Sequence, residues 1–411
     1  MTTRRGTVFR LTHIIIAAVL TTASLFATEG DSGVLKRATG EVPEERLLDV
    51  NILIFNSGVE AKDSYKLESK GIFDGVRKAE SRFIPVTLME TLQSTGFWGA
   101  VRLAPQAIPS GEVTLRGTIL KSTGLKLVVE IEAEDSTGRT WFKRKYKQPA
   151  DWRSYNDEGF YEDPFYELYN RIANDLLAHR VQLQRKRITE IRQVAQLRFA
   201  SDMAPEVFAD YLKQKRNGKR FQVSRLPSED DPMMARVNLI GERDAMLIDT
   251  LTAHYQDFQV RMFETYHGWR EASFQEELAL RTERRKARAQ QILGAAAILG
   301  AIFAEGDSNS SRAVQEAAVI GGSLALQSGI AKQQELKIHK EALAELAASL
   351  DAEMEPLLVD LKGNTLRLTG TAEEQYQTWR DMLKSLFLND LGLPLDPNHP
   401  QAEKASAVPE K

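Results

Sequence analysis

The sequence predicts an α+β fold, in which an N-terminal α/β layer with an antiparallel meander precedes a long-helical C-terminal region. Two patterns predict it. Between residues 47 and 149, apolar and alternating runs are separated by short glycine-containing turns, which is typical of β-strands. From about residue 165 to residue 355, apolar residues recur at spacings of three and four, which is typical of amphipathic helices. A chain of 411 residues suffices for two or three domains with their own cores.

The N-terminal layer begins with "LLDVNILIF" at 47–55, a nearly continuous apolar run that predicts a buried strand. The next segment carries apolar residues at helical spacing from Val76 to Leu92, and we predict a helix that ends at Gly96. Pro85 lies inside this helix and is expected to kink or split it, because proline lacks the amide hydrogen of a helix interior. "FWGAVRLAP" then predicts a short strand.

Three further strands follow in series and predict the meander. "GEVTLRGTIL" and "LKLVVEIEAED" alternate apolar and polar residues, and the turn "KSTG" lies between them. "STGRTWFKRKY" supplies a second turn and the third strand. Asp163 and Pro164 then predict the start of a closing helix, as an N-cap residue and a first-turn proline.

The segments "LDVNILIFNSG", "GFWGAVRLAP" and "VTLRGTILKSTGLKLVVEIEAEDSTGRTWF", with the closing "IANDL" helix, resemble the TolB N-terminal/CsgG-type α+β domain of bacterial envelope assembly proteins. The similarity covers about residues 47–180 and lies in the order of the elements and in scattered residues. It implies an α+β domain that takes part in assembly at the envelope. Family members of the curli secretion channel type also carry a lipid-modified cysteine, whereas this chain contains no cysteine.

The C-terminal region is predicted to contain a helix of about fifty residues that starts at Met233, after the start signals Asp231 and Pro232. An apolar stripe along this helix approaches a heptad repeat and consists of Ile248, Leu251, Tyr255, Phe258, Met262, Tyr266 and Trp269. Such a stripe is typical of a helix packed on its own domain, the interpretation that we favour, and also of an intermolecular coiled coil. Both interpretations stay open.

Further on, the sequence predicts a β-hairpin with Gly363 and Asn364 in its turn, followed by a helix.

A Gly/Ala-rich stretch at 292–330 predicts a helical hairpin with a glycine-zipper pattern, because small residues at spacings of three and four let two helix backbones approach closely. Its first half, 292–304, spans about 20 Å of helix and is too short for a hydrocarbon core of about 30 Å. The hairpin could therefore be an internal helix pair, an oligomer interface or a segment docked on a membrane, whose anionic surface would suit the basic flank "RTERRKARAQQ". The predicted interface residues are Gly294, Ala297, Ala301, Ala304, Ala318, Gly322, Ala325 and Gly329.

The N-terminus has the pattern of an export signal. Arg4, Arg5 and Arg10 precede the apolar run "LTHIIIAAVLTTASLFA", and small residues end that run. We expect cleavage after Ala27 and a periplasmic or cell-envelope location, with an inner-membrane anchor formed by 11–27 as the alternative.

The predicted organisation is a signal peptide at 1–27, a linker at 28–46, an α+β domain at 47–180, a helical region at 181–355, a β-hairpin plus helix at 356–392 and a disordered tail at 393–411.

The sequence lacks the HExxH, GxSxG, P-loop and GxGxxG patterns of common enzyme classes. We therefore predict no catalytic, cofactor-binding or metal-binding residues. The formal net charge of −3 gives no basis for binding nucleic acid, whose phosphates require a basic face.

One segment, 151–169, combines aromatic residues with carboxylates, and its candidate glycan contacts are Trp152, Tyr155 and Tyr161.

These observations together predict an exported, non-enzymatic envelope protein that acts in assembly or interaction at a membrane. Its expected partners are further copies of the same chain, other envelope proteins and a membrane surface. Self-association would use the Gly/Ala-rich hairpin and the heptad stripe. Two alternatives stay open, both of which use 151–169: a glycan- or peptidoglycan-binding module, and a hydrolase of unrecognised type.

Overall fold

The computed structural model describes residues 33–59, 73–156, 162–215, 220–303, 357–361 and 364–390, with single helical positions between 337 and 348. Helices and a mixed β-sheet together make the fold α+β, as the sequence predicts. The signal peptide and the C-terminal tail predicted from the sequence lie outside the described residues.

One five-stranded sheet forms the centre of the N-terminal layer. Its strands are β1 (Val50–Leu53), β2 (Val101–Ala104), β3 (Val113–Thr123), β4 (Lys126–Asp135) and β5 (Thr140–Pro149). The strand order is β2-β1-β3-β4-β5. β1 runs parallel to both β2 and β3, whereas β3, β4 and β5 pair in antiparallel fashion. The predicted meander is therefore confirmed.

The first helix, α1 (Asp74–Gln93), is continuous and is not split at Pro85. Proline removes the N–H that would bond to the carbonyl oxygen of Ser81 four residues earlier. The backbone N–H of Phe55, just after β1, donates to that oxygen at 2.9 Å instead. The sheet thus satisfies the acceptor that the proline leaves free, and the expected split does not occur.

The second half of the layer contains α2 (Arg153–Asn156), α3 (Tyr166–Val181) and α4 (Arg185–Met203). With Asp163 as the N-cap, the predicted helix starts at Pro164, whereas α3 starts at Tyr166. Asp163 accepts the N–H of Phe165 through Oδ1 at 2.8 Å, so its side chain closes the turn before the helix. Its other oxygen pairs with Arg270, a contact that sequence spacing could not predict.

A short connection follows α4 and leads to the long helix. It contains α5 (Pro205–Phe208) and a two-stranded hairpin of β6 (Leu212–Gln214) and β7 (Phe221–Val223). The hairpin was not predicted, because each of its strands is only three residues long.

The helix α6 (Pro232–Phe303) has 72 residues and is about 108 Å long at 1.5 Å per residue. It begins where the sequence predicts. Asp231 Oδ1 accepts the backbone N–H of Met233 at 2.8 Å and that of Met234 at 3.2 Å, which satisfies two donors that a helix start leaves free. It exceeds the predicted fifty residues because it continues through the basic flank into the Gly/Ala-rich stretch.

The C-terminal hairpin and helix are confirmed as β8 (Leu357–Leu361), β9 (Asn364–Leu368) and α7 (Ala372–Asp390). Asn364 pairs with Leu361 in the ladder and belongs to a strand, so the predicted turn position is wrong by one residue. α7 packs on α4 and α6 through buried Tyr376 and Trp379. Arg380 Nη1 donates to Asp244 of α6 at 3.2 Å.

Candidate functional site

The heptad stripe of α6 lies inside the fold. All seven of its side chains are buried: Ile248, Leu251, Tyr255, Phe258, Met262, Tyr266 and Trp269. The ring centroids of Tyr266 and Phe83 of α1 are 4.6 Å apart. The stripe therefore packs on the chain's own elements, which supports the internal-packing interpretation of the two that the sequence left open.

α6 also covers the edge strand of the sheet. Thr252 Oγ1 accepts the N–H of Leu103 in β2 at 3.1 Å and lies 3.2 Å from the carbonyl oxygen of the same residue. An unpaired edge strand exposes a row of donors and acceptors to other chains. The hydroxyl has a single proton and a shorter contact, 2.8 Å, with the carbonyl oxygen of Ile248, so it occupies the N–H of Leu103 and α6 covers the edge at that group.

A buried cation holds α6 to the segment that precedes α3. Arg270 is 2% exposed, and its Nη1 donates to Asp163 Oδ2 at 2.6 Å. The guanidinium carbon lies 4.1 Å from the ring centroid of Tyr266 and 4.8 Å from that of Phe165, within the range of cation–π attraction. Burial raises the pKa of the adjacent Tyr169, whose phenol stays neutral. We name this group the Arg270 clamp.

The turn between β3 and β4 presses directly on α6 beside this clamp. The N–H of Gly124 donates to Ser273 Oγ at 3.1 Å, and its carbonyl oxygen accepts the Tyr155 hydroxyl at 3.1 Å. A Cβ at position 124 would overlap the carbonyl oxygen of Arg270 and the backbone nitrogen of Phe274. Glycine is therefore the residue that permits this close approach.

Beyond Glu277, α6 runs past the buried part of the domain. Among the described side chains of 278–285, all are exposed, and Leu278 is 39% exposed. The helix continues from there to Phe303, about 39 Å further at 1.5 Å per residue. Gly294, Ala297 and Ala301 lie on this length of helix. The other predicted interface residues lie outside the described residues: Ala304, Ala318, Gly322, Ala325 and Gly329.

The three candidate glycan contacts lie in different environments. Trp152 is 61% exposed at the start of α2. Tyr155 is 8% exposed and packs against Phe274 in a tilted arrangement, with ring centroids 4.8 Å apart, and burial raises the pKa of its hydroxyl. Tyr161 lies outside the described residues. The described structure therefore offers one exposed aromatic ring of the three.

A cleft that the sequence did not predict lies where the parallel strands begin. It has a volume of about 420 Å³, within the range of small-molecule sites, and α4 and α6 form its other walls. Asp49 accepts the N–H of Ala100 at 2.8 Å and Arg102 Nη1 at 3.3 Å. Glu112 accepts the N–H of Asp49 at 2.8 Å, and Arg192 Nε lies 3.7 Å from its other oxygen.

Glu112 is the most perturbed carboxyl of this cleft. Burial raises the pKa of Glu112 to about 7, the N–H of Asp49 lowers it, the Asp49 carboxylate raises it and Arg192 lowers it. At neutral pH the protonated and the ionised form of Glu112 are therefore both populated, a property that is enriched at functional sites. Asp49 and Glu112 each precede an observed strand by one residue, and each is an acidic residue within a predicted strand that the sequence analysis did not single out.

In the described part of the chain, no group of three or more His, Asp and Glu side chains is arranged to hold an ion. His267, which shares a ligand-like spacing with Glu264 in the sequence, has Nε2 at 3.2 Å from the Ser154 carbonyl oxygen. Within the same described residues, no helix has an apolar stretch long enough to cross a bilayer.

Comparisons with protein-family models, curated proteins and solved structures find no match for this chain. The resemblance of residues 47–180 to the TolB N-terminal/CsgG-type domain therefore stays a prediction. The observed order β1-α1-β2-β3-β4-β5-α3, with a short α2 before α3, is the order on which that resemblance was based.

Proposed function

We propose that this chain is a non-enzymatic protein of the bacterial cell envelope that acts by self-association and by assembly with other envelope proteins. The α+β domain would serve as the folded base, and the distal part of α6 would present the Gly/Ala-rich stretch to a second copy. The export signal and the resemblance to envelope assembly domains supply the proposed location.

The observation that supports this proposal is the division of α6 into two parts. Its first part, through Glu277, is held by the stripe, by Thr252 and by the Arg270 clamp. Its second part extends about 39 Å further and carries Gly294, Ala297 and Ala301. A helix held rigidly at one end presents its other end at low entropic cost, because the backbone is already ordered.

The small residues supply the proposed chemistry of contact. Their spacings of three and four place them on one helix face, where a second helix can approach closely. A bulky side chain at the centre of this face would separate the backbones and weaken dispersion contacts along the whole interface.

Light scattering on the purified chain tests this proposal. We expect a mass of two or more copies for the wild type and a lower mass for the Gly294→Leu/Ala301→Leu variant. The matched control is Ala279→Leu, which adds the same side chain at an exposed position of the same helix. A wild-type chain that stays monomeric, or a control that changes the mass equally, would refute the proposed interface.

A second candidate function rests on Trp152. We propose that this exposed indole could stack on a sugar ring of peptidoglycan, since an aromatic face covers apolar area while its edge stays polar. Purified peptidoglycan should retain the wild-type chain and release Trp152→Ala. Tyr155→Phe is the control and should bind normally, because the Tyr155 hydroxyl donates inward to Gly124. Equal retention of all three chains would exclude this function.

A further inference from the structure

A small cavity lined by cations lies on the opposite side of α4 from the cleft. Its volume is about 190 Å³, well above the roughly 15 Å³ of probe-occupied volume that a single water requires. Three separate elements build it. The β4–β5 turn supplies Thr137 and Arg139, the first turns of α4 supply Arg187 and Glu190, and the β6–β7 hairpin supplies Lys215, Arg220, Phe221 and Gln222.

Arg187 forms the fixed wall of this cavity. Its Nη1 donates to Glu190 at 2.8 Å, and its Nη2 donates to Thr137 Oγ1 at 2.5 Å and to Asp135 at 3.2 Å. Its Nε is buried and has no hydrogen-bond partner within the described structure. These three bonds fix the guanidinium of Arg187 at the cavity wall, where it adds one positive charge.

The other three cations of the cavity carry unneutralised charge. Within the described part of the chain, the side chains of Arg139, Lys215 and Arg220 form no hydrogen bond or ion pair. The one carboxylate that lines the cavity, Glu190, is already bonded to Arg187. Positive charge therefore exceeds negative charge around this concavity, which attracts an anion.

The hairpin that brings two of these cations is held in place. The N–H of Phe221 donates to the carbonyl oxygen of Thr137 at 3.0 Å, and the N–H of Lys215 donates to the carbonyl oxygen of Arg220 at 2.8 Å. The guanidinium of Arg198 lies 4.7 Å from the ring centroid of Phe221. The positions from which Lys215 and Arg220 project are therefore set before any ligand arrives.

We propose that this cavity, which we name the oxyanion pocket, binds a phosphate group. A carboxylate is planar and is satisfied by one bidentate arginine, whereas a phosphate is tetrahedral and accepts donors from several directions at once. Here the donors come from three elements that surround one space. The phosphate can be free in solution, or it can be the headgroup of an anionic phospholipid.

Titration calorimetry of the purified full-length chain with inorganic phosphate tests the pocket. We expect saturable binding at one site per chain. The Arg139→Gln/Arg220→Gln variant should bind about tenfold more weakly or not measurably, because two charge-assisted bonds are lost. Both residues are exposed, so the thermal unfolding midpoint should stay unchanged and show that the fold is intact.

The matched control is Lys145→Gln/Arg236→Gln, which removes the same charge from exposed positions on β5 and α6 outside the pocket. It should bind phosphate as the wild type does. Equal weakening in both double variants would show a general effect of net charge and would overturn the proposal.

A second arm separates the two sources of the phosphate. Vesicles of phosphatidylcholine, alone or mixed with phosphatidylglycerol, are sedimented with each chain. Retention on the mixed vesicles that is lost in the pocket variant and reduced by inorganic phosphate assigns the headgroup. Phosphate binding without vesicle retention assigns a free phosphate. Absence of binding in both arms refutes the oxyanion pocket.

Discussion

Arg270 of α6 donates to Asp163 at 2.6 Å across 107 residues of sequence, and the guanidinium is 2% exposed. Two of its other nitrogens, Nε and Nη2, have no hydrogen-bond partner among the described residues. The Asp163 carboxylate is therefore the anion on which this buried cation depends. The first half of α6 is held to the sheet layer through that pair.

The substitution Asp163→Asn should destabilise the fold by about 3 kcal/mol, because removing one partner of a buried pair leaves the other charge uncompensated. Asparagine keeps an acceptor for the N–H of Phe165, so the effect reports the charge. The measurement is urea unfolding. Asp257→Asn is the control. The Asp257–Arg261 ion pair lies within α6, and its side chains are 63% and 57% exposed, so its loss should lower the unfolding free energy by less than about 1 kcal/mol. Similar losses in both variants would contradict the clamp.

Gly124→Ala should destabilise the chain by about 1–3 kcal/mol, because the added methyl forces the β3–β4 turn away from α6. Amide hydrogen exchange near Ser273 should accelerate, since that is the region released. Gly40→Ala is the control, as a Cβ there meets no atom within 4 Å. If the Gly124→Ala chain has the same unfolding free energy as the Gly40→Ala chain, α6 does not pack closely on this turn.

Stability should fall as the pH rises from about 4.5 to about 7. The pKa of Glu112 is raised from 4.5 to about 7 by burial, so the folded chain holds a proton in this window that the unfolded chain has released. The stability from this group is complete below pH 4.5 and lost above pH 7, with a magnitude on the order of 3 kcal/mol.

Glu112→Gln isolates this contribution, because glutamine keeps an acceptor for the N–H of Asp49 and does not titrate. The difference in unfolding free energy between the wild type and the variant, measured by urea titration at several pH values, should change between pH 4.5 and 7 and stay constant above. A difference that does not depend on pH would show that the Glu112 side chain is not held in a desolvated site.

Local sequence signals predicted the elements whose structure is set by neighbours along the chain. Asp231 and Pro232 predicted the start of α6, and the alternation around the turn "KSTG" predicted β3 and β4. Pro85 does not split α1, because a donor from outside the helix, the N–H of Phe55, bonds to the carbonyl oxygen that the proline leaves free. Phe55 belongs to a different part of the chain, just after β1, and only folding brings its N–H to Ser81.

The sites were less accessible to sequence reasoning for the same reason. The stripe from Ile248 to Trp269 was identified correctly, but its spacing could not say which surface covers it. The cleft at Glu112 and the oxyanion pocket each combine residues from separate regions of the chain. Their side chains are ordinary surface types in sequence, and tertiary packing alone brings them together.

Cysteine cross-linking tests the proposed self-association most directly, because the chain contains no cysteine of its own. A single thiol is introduced as Ala297→Cys, in the Gly/Ala-rich part of α6, and in a separate control as Lys145→Cys, at an exposed position of β5. Under mild oxidation at micromolar concentration, Ala297→Cys should form a covalent dimer, since a disulfide requires the two Cα atoms within about 7 Å. The control should stay monomeric. If Ala297→Cys also stays monomeric, or if both variants cross-link to the same extent, this stretch of helix does not join two chains.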